Sequence, residues 1–269
     1  MSKYLILVNN LILINDFKEL GYTNFLFALK DYSIGYSDFD LSEINAVNAN
    51  KYLLINRILD SNEIRNLEQL LINLDDIKGI VFDDLGVLEI AKKHNLDVEL
   101  IYFHNHAGTN YKTINFWLNQ GIWSVVLSNE LTTDEIINIK KEVTKPASII
   151  MFGHNQIMYS RRLLISNYNE YHHLNNPKTI DLETNNNHFI AVESNYGTVF
   201  YTKAIYNLFE LNDDDYKYKI INLVQISDDD AIKVLTDIKN NDYKFSYLET
   251  SRGFLDKKTI FKLGGKKHE

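Results

Sequence analysis

The sequence predicts an α/β protein, a TIM-type (β/α)8 barrel with a β-hairpin insertion between strands 7 and 8. Three observations predict this fold. Short hydrophobic runs alternate with segments of helical periodicity at roughly 25-residue spacing, which is typical of parallel βα units. The runs are almost continuously apolar, as are strands covered on both faces. The 269 residues, 45% of them hydrophobic, also match the size of one such barrel.

Seven βα units follow one another from the amino terminus. Ser or Thr stands at the start of several helical segments, and Gly or Asn at the end of several, as expected at helix termini. The predicted strands are YLILVN, NFLFAL, KYLLINR, IKGIVFDD, DVELIYFHNH, IWSVVLSNE and ASIIMFG, and the helical segments between them include SNEIRNLEQLLINL, LGVLEIAKKHN, YKTINFWLNQG and TTDEIINIKKEV.

An inserted hairpin precedes the eighth unit. The run NHFIAVESNYGTVFYTK, with its turn at Asn195 to Gly197, predicts two antiparallel strands. The eighth unit is YKYKIINLVQIS followed by DDDAIKVLTDIKNN. We expect one domain over residues 1–269, with the hairpin at about 186–203 and a C-terminal tail at about 249–269. The alternative is an open doubly wound sheet, but the first strand lacks the Gly-rich turn of its dinucleotide-binding version.

The composition restricts the classes of function. With 36 acidic and 28 basic residues the net charge is −8, so a nucleic-acid site would have to be a local basic patch. The absence of cysteine excludes disulfides, thiolate catalysis and cysteine-held zinc or iron–sulfur sites, and it favours a cytoplasmic location. No apolar stretch of about 18 residues occurs, so we expect no membrane span.

Polar side chains follow six of the predicted strands, where the functional groups of a barrel gather. Asp83, His104, His106 and Glu130 are the candidate catalytic residues, because carboxylate and imidazole groups can polarise water. In an extended chain His104 and His106 point to the same side. With His154, Asp83 or Glu130 they would form a site for a divalent metal. The alternative is that they are hydrogen-bonded or substrate-contacting residues of the rim.

Two of these acidic positions have a structural alternative. Asp83 or Asp84 would cap the helix that begins at VLEIAKKH. Thr132 or Thr133 would cap the helix after Glu130, which leaves Glu130 on the rim. The acidic runs NDDDY and SDDDA are expected to be solvated helix starts, which the helix dipole favours.

The stretch IIMFGHNQIMYSRRLLIS turns polar and basic between two apolar runs. Its Tyr159, Arg161 and Arg162 suit the binding of a phosphate or carboxylate together with stacking on a planar ring. The alternative is a solvated basic loop paired with the acidic surface of the protein. We therefore assign these three residues, with His154 of the same stretch and Asn56 from another strand end, as candidate ligand-binding residues.

Several motifs occur in a fixed order from about Lys51 onward. The segment LLINRILDSNEIRNLEQLLINLDDIKGIVFDDLGVLEIAKK runs strand, Asn, helix, strand, Asp, Leu, Gly. The segment TNYKTINFWLNQGIWSVVLSNELTTDEIINI holds an Asn-containing helix, a Gly before a strand and a Glu-Leu turn. In this order the chain resembles the collagenase-like peptidases of family U32. The matching positions are Asn56, Asp83 or Asp84, Gly86, Asn110, Gly121, Glu130 and Leu131, while Asn129 replaces the usual Arg.

A third stretch, from Ser148 to Ser166, resembles the family signature with substitutions. The family's two cysteines are replaced by Gln156 and Leu163, and one of its glycines by Arg161. Further on, ESNYGTVFYTKAIYNLFEL resembles the family's Gly-Thr hairpin and ETSRGFLDKKTIFK its C-terminal tail. The matching positions in the signature are Gly153, Ile165 and Ser166, whereas Ser148 and Ile150 replace its Glu and Phe.

This resemblance implies three hypotheses. The family carries a peptidase name, but several members resemble RNA or quinone hydroxylation factors that use a cysteine-held iron–sulfur cluster, some of them as paired subunits. We favour a cluster-less accessory or paired subunit in RNA hydroxylation, acting with a cysteine-containing paralogue on tRNA. In this hypothesis Asn110, like Asn56, is a ligand-binding residue. The alternatives are a peptidase, with or without a divalent metal, and a non-catalytic barrel that binds a small molecule.

Overall fold

A computed structural model of the chain describes residues 3–104, 108–175, 177–184 and 187–257. Its strands are β1 (Tyr4–Leu7), β2 (Asn24–Leu29), β3 (Asp38–Phe39), β4 (Asn50–Ile55), β5 (Gly79–Phe82), β6 (Glu99–Tyr102), β7 (Ser124–Val125), β8 (Ile149–Ser160), β9 (Thr179–Thr184), β10 (Asn187–Ser194), β11 (Gly197–Asn207), β12 (Lys219–Asn222) and β13 (Thr250–Ser251). Its helices are α1 (Ile14–Glu19), α2 (Leu41–Asn45), α3 (Ser61–Leu71), α4 (Leu85–His94), α5 (Tyr111–Asn119), α6 (Thr133–Glu142), α7 (Leu164–His172) and α8 (Asp228–Lys239).

The strands form one curled sheet in a mixed α/β fold, with the shape of a half-barrel. Along the sheet the order is β7-β6-β5-β4-β2-β1-β12-β8-β11-β10-β9, with β3 beside β2 and β13 beside β11. Every pairing from β7 to β8 along this path is parallel. Each of the eight predicted strands occupies one of these parallel positions. The parallel α/β organisation predicted from the sequence is therefore confirmed.

The parallel strands bury side chains on both faces, which explains their apolar sequences. On one face, residues such as Phe27 and Leu53 pack against helix residues such as Leu67 and Leu88. Adjacent residues along a strand point to opposite faces, so Leu54 belongs to a second cluster. All eight parallel strands, or the residue directly after them, contribute to this second cluster through Leu5, Leu26, Tyr52, Val81, Ile101, Val126, Ile150 and Ile220.

Hydrogen bonds also connect β7 with the residue that precedes β8. Val126 forms a parallel bridge with Ser148. The Ser148 N–H donates to the Val125 carbonyl at 2.9 Å, and the Leu127 N–H donates to the Ser148 carbonyl at 2.8 Å. The hydroxyl oxygens of Ser124 and Ser148 lie 2.8 Å apart. The residue before β8 is thus hydrogen-bonded to β7 and to the residues that follow β7.

Strand β8 is longer than the sequence predicts. The predicted strand ASIIMFG stops at Gly153, whereas the observed strand continues through Ser160. Gly153 has a φ of 135° and lies opposite Tyr206 of β11, which pairs antiparallel with the rest of β8. The polar stretch after Gly153 is therefore strand, because β11, much later in the sequence, supplies its hydrogen-bonding partner.

The β10–β11 hairpin lies where the sequence predicts one, and Ser194 faces Gly197 across its turn. Strand β9, which the sequence analysis did not predict, pairs with β10. The appendage is therefore a four-stranded antiparallel extension rather than an isolated hairpin. Tyr201 attaches it to the loop after β2, since its hydroxyl donates to the Gly35 carbonyl at 2.7 Å.

Three helix starts agree with the sequence. The Asp84 carboxylate accepts from the Gly86 N–H at the start of α4. Thr132 forms a capping box with Glu135 at the start of α6, and Ser227 caps α8, whose first turn is acidic. Capping at these sites stabilises each helix by about 1 kcal/mol. In the described part of the chain, no helix is long and apolar enough to cross a membrane.

Candidate functional site

A cavity of about 280 Å³ opens at the carboxyl ends of β4, β5 and β6 and beside the second half of β8. We call it the rim cavity. Four of the candidate residues from the sequence line it, namely Asn56, Asp83, His104 and Tyr159. The rest of the lining is Ile58, Phe103, Gln156, Ile157 and Met158. Parallel strands place the residues that follow them at one edge of the sheet, which explains why positions distant in sequence meet here.

Asn56 lies at the floor of the rim cavity and is only 6% exposed. Its side-chain oxygen accepts from the Ile34 N–H at 3.0 Å, and its amide nitrogen donates to the Ile34 carbonyl at 3.1 Å. Both polar groups of the amide therefore hold the loop after β2. Asn56 therefore fixes the shape of the cavity wall, and its side chain also lines the cavity.

Asp83 and His104 form the polar side of the rim cavity. The His104 Nε2 and the Asp83 Oδ1 are 3.8 Å apart, and both side chains are partly exposed. His106, the other histidine of the metal hypothesis, lies outside the described residues. Within the described ranges, no group of three or more His, Asp and Glu side chains is placed to hold a metal ion. His104 and Asp83 are thus the pair that the structure brings together.

The apolar part of the rim cavity was missed by sequence reasoning. Phe103 follows β6 directly, while Ile157 and Met158 lie on the second half of β8 and are 46% and 44% exposed. The one available signal was the aromatic residue before His104. Ile157 and Met158 could not be found, because their exposure depends on β8 extending beyond Gly153.

Tyr159 connects the rim cavity to the hairpin. Its hydroxyl donates to the Tyr196 carbonyl at 3.2 Å. The Tyr196 ring in turn lies 3.8 Å from the guanidinium of Arg57, which is buried and paired with Glu63. Burial raises the pKa of Tyr159, and the positive charges of Arg57 and Arg161 act against that rise. The hairpin turn is therefore fixed at the edge of the cavity.

A smaller cavity of about 80 Å³ adjoins the rim cavity, and Gln156 and Ile157 line both. Glu130, the fourth candidate catalytic residue, is exposed and lines this smaller cavity with Phe254 of the C-terminal tail. The structure therefore places Glu130 in a separate recess from the His104–Asp83 pair.

Two candidate ligand-binding residues lie elsewhere. His154 is buried in β8, where its Nδ1 is 2.9 Å from the Thr202 carbonyl, and burial lowers its pKa. It lines neither cavity, because Gly153 redirects the strand and β11 covers this position. Asn110 caps α5, since its side-chain oxygen accepts from the Thr113 N–H at 2.9 Å. Both contacts are structural.

Arg161 and Arg162 follow β8 and are exposed. Backbone hydrogen bonds lower the pKa of Asp60, and the nearby charge of Arg161 lowers it further. The same charge opposes the rise in the pKa of Tyr159. Since Asp60 caps α3 just beyond β4, Arg161 lies beside the rim cavity without lining it. The two arginines form an exposed basic pair at its margin.

Comparison with known proteins agrees with this arrangement. The model of peptidase family U32 matches residues 40–180, more than half of the chain. The chain belongs to peptidase family U32. The match covers β4 to β8 and hence every described strand that contributes to the rim cavity.

Curated relatives of this U32 protein are named as tRNA hydroxylation proteins. Over 137 residues the chain is 32% identical to tRNA hydroxylation protein P2 of Bacillus subtilis. This alignment covers 50% of this chain and 43% of the relative. Over 133 residues it is 26% identical to tRNA hydroxylation protein P of Haemophilus influenzae, covering 48% of this chain and 28% of the relative. The chain thus aligns with less than half the length of these relatives. No solved structure matches it significantly.

The iron–sulfur cluster that the resemblance implies does not fit the residues of this U32 protein. Such clusters are held by cysteine thiolates, and the 269 residues contain no cysteine. Of the two positions that replace signature cysteines, Gln156 lines the rim cavity and Leu163 precedes α7 with 37% exposure. Neither an amide nor an alkyl side chain supplies a thiolate.

Ile165 and Ser166 of the family signature, and Glu193 and Thr198 of the hairpin, have structural roles in this U32 protein. The buried carboxylate of Glu193 accepts hydrogen bonds from the N–H groups of Ile165 and Ser166, at 2.8 and 3.1 Å, and from the Ser166 hydroxyl. The Thr198 hydroxyl donates to the same carboxylate at 3.2 Å. These residues join the start of α7 to the hairpin, so they position the cavity wall without lining it.

Proposed function

We propose that this U32 protein takes part in tRNA hydroxylation as a subunit that binds tRNA and holds no cluster of its own. The observation that carries the proposal is the family match together with the shared name of its relatives, which are tRNA hydroxylation proteins. Because the chain aligns with less than half of their length, its substrate and its partner are part of the proposal. The partner is a cysteine-containing paralogue that supplies the redox chemistry.

The rim cavity supports an RNA ligand. Proteins that recognise RNA by sequence stack unpaired bases on aromatic side chains and hydrogen-bond to the base edges. Phe103, His104 and Tyr159 supply rings, and Gln156 supplies an amide. Arg161 and Arg162 at the margin suit backbone phosphates, and they form the local basic patch that a chain of net charge −8 requires.

The test compares nucleosides from the tRNA of a deletion strain by mass spectrometry. Deletion of the gene should remove a hydroxylated nucleoside, and the wild-type gene should restore it. An Arg161→Ala/Arg162→Ala double variant should bind tRNA roughly tenfold more weakly. The slope of its affinity against salt concentration, on logarithmic scales, should fall by the amount expected for about two lost phosphate contacts. It should keep its stability within roughly 1 kcal/mol, because both side chains are exposed.

Arg252→Ala is the matched control for this test. Arg252 is also exposed, but it pairs with Glu210 and Asp256 in the C-terminal part of the chain. Its replacement should leave tRNA binding unchanged. An unaltered nucleoside profile in the deletion strain would overturn the proposal, as would equal tRNA binding by the double variant and the wild type.

We further propose that the eight parallel strands complete a TIM-type barrel. Three features support closure: the hydrogen bonds between β7 and Ser148, the apolar cluster to which all eight strands contribute, and the strand order. A doubly wound sheet reverses its strand order at a switch point, whereas β2, β4, β5, β6 and β7 follow one another on one side of β1.

Hydrogen exchange tests the proposed closure. The amides of Ser148 and Leu127 should exchange as slowly as that of Ile149, which donates to the Tyr218 carbonyl at 2.9 Å within the sheet, because all three would open only with the core. Fast exchange at Ser148 and Leu127 with slow exchange at Ile149 would show an open sheet. NMR or mass-spectrometric exchange at single-residue resolution is the measurement.

A further inference from the structure

A second cavity lies at the opposite edge of the sheet, where β1 and β12 begin. Its volume is about 620 Å³, within the range of small-molecule sites. The rim cavity, at the carboxyl ends of the strands, shares no lining residue with it. We call it the Lys219 cavity. Its lining includes Lys3, Tyr4, Asn212, Lys219, Lys239 and Tyr243.

Lys219 is the unusual group in this lining. The residue is only 5% exposed, and its ammonium donates to the Asn212 side-chain oxygen at 2.6 Å. The ammonium also lies 5.5 Å from the centroid of the Tyr4 ring. Within the described ranges, no carboxylate oxygen lies within 4.0 Å of the Lys219 ammonium, so it forms no ion pair there. A buried ammonium without a counter-ion is costly.

Hydrogen bonds fix the neutral partner of Lys219. The Asn212 amide nitrogen donates to the Tyr243 hydroxyl at 2.9 Å, and that hydroxyl donates to the Asn241 side-chain oxygen at 2.9 Å. Asn212 is therefore held with its oxygen toward Lys219. An ammonium has three N–H donors, and Asn212 satisfies one of them, so donors remain for a ligand in the cavity.

The carboxylates near this cavity are engaged or exposed. Asp213 pairs with Lys140, and Asp214 lies exposed at the mouth, where its backbone carbonyl accepts from Lys3. Burial lowers the pKa of Lys219, and the more distant charges of Asp214 and Asp213 only oppose that effect. The lining carries three lysines, Lys3, Lys219 and Lys239, against two carboxylates, Asp213 and Asp214. This balance of charge favours an anionic ligand, and the volume of the cavity suits a small one.

We propose that the Lys219 cavity binds a small organic anion through a carboxylate or phosphate head group, which accepts from Lys219. The ligand supplies the counter-ion that the described residues do not. Tyr4 and Tyr243 form an aromatic wall for the rest of the ligand. This site is independent of the rim cavity and of the proposed tRNA function.

Titration calorimetry of the whole protein with inorganic phosphate and with acetate, at matched ionic strength, tests the proposal. We expect saturable binding of at least one anion, and the one that binds distinguishes a phosphate from a carboxylate ligand. Asn212→Asp should weaken binding roughly tenfold or more, because its carboxylate supplies an internal counter-ion to Lys219. This variant should remain folded, since it compensates a buried charge instead of removing one.

Lys219→Met and Lys217→Met complete the comparison. Lys219→Met should abolish anion binding, with circular dichroism confirming that it is folded. Lys217 lies two residues away with its ammonium over the Trp123 ring, outside the cavity lining, so Lys217→Met should bind as the wild type does. The absence of saturable binding of either anion to the wild type would overturn the proposal. Undiminished binding in Asn212→Asp would also overturn it.

Discussion

Replacing Gly153 by alanine should reduce the free energy of unfolding by roughly 2–6 kcal/mol. Gly153 has a φ of 135°, which L-residues rarely adopt, and this strain contributes about 1–3 kcal/mol. An added Cβ would lie 2.5 Å from the Asn222 Cβ and 2.6 Å from the Asn222 carbonyl oxygen. Forcing such contacts in a packed interior contributes about another 1–3 kcal/mol.

Asn222 cannot move away from the added methyl group. It is 2% exposed and belongs to β12. Its amide nitrogen donates to the His154 carbonyl at 3.3 Å, and its side-chain oxygen accepts from the Val224 N–H at 3.0 Å. A shift of Asn222 would break these contacts and pull β12 away from β8. The strain must therefore remain in the folded state.

Gly121→Ala is the matched control for Gly153→Ala. Gly121 also has a positive φ, 90°, but an added Cβ there would meet no atom within 4 Å. This variant should lose roughly 1 kcal/mol from backbone strain alone. Urea unfolding followed by circular dichroism measures both losses. Equal losses for the two variants would show that the close approach to Asn222 contributes nothing.

The parallel sheet could be predicted because local sequence determines its strands. Runs such as NFLFAL are buried at every position, and a strand covered on both faces needs no long-range information to be recognised. The course of β8 beyond Gly153 could not be predicted in this way. Its residues alternate in polarity irregularly, and only pairing with β11 keeps them extended.

The residues of the candidate site also differ in whether local sequence or long-range pairing determines their position. The sequence brings Asn56, Asp83 and His104 together because each lies within two residues of the end of a buried strand, and such positions meet at the carboxyl edge. His154 was placed at that edge because β8 was expected to end at Gly153. Ile157 and Met158 were missed for the same reason. A single long-range pairing therefore accounts for both kinds of difference.

The positions that resemble the family signature act mainly on the architecture of this protein. Gly153 allows β12 and β8 to approach, and Ser166 and Glu193 join α7 to the hairpin. The position of one signature cysteine, Gln156, is instead in the cavity wall. The frame of the family is thus retained around a cavity in which an amide stands at one of the signature's cysteine positions.

Replacing Glu193 by glutamine should destabilise the protein by roughly 2–4 kcal/mol at neutral pH. The Glu193 side chain is fully buried, and Lys178 donates to it at 3.0 Å. The Lys178 ammonium and the N–H groups of Ile165 and Ser166 all require an acceptor at this position. An amide presents one oxygen and turns a donor group toward other donors, so part of this network is left unpaired.

The effect of Glu193→Gln should depend on pH. Burial alone would raise the pKa of Glu193, but hydrogen bonds from Ser166, Lys178 and Ile165 lower it from 4.5 to about 2. Because the folded-state pKa is the lower one, the unfolded state binds more protons between these values. The stabilisation is therefore complete above pH 4.5 and is lost as the pH falls toward about 2. We expect this pH-dependent part to be about 1–3 kcal/mol.

Urea unfolding of the wild type and Glu193→Gln, from about pH 7 down to about pH 3, measures this dependence. The difference in stability between the two should narrow as the pH falls, because protonation of Glu193 removes the same charge that the substitution removes. Asp181→Asn is the control, since Asp181 pairs with Lys203 on the exposed side of the same extension. Its loss should change stability by roughly 0.5 kcal/mol or less. A Glu193→Gln difference that stays constant with pH would show that the carboxylate charge is not what holds α7 to the hairpin.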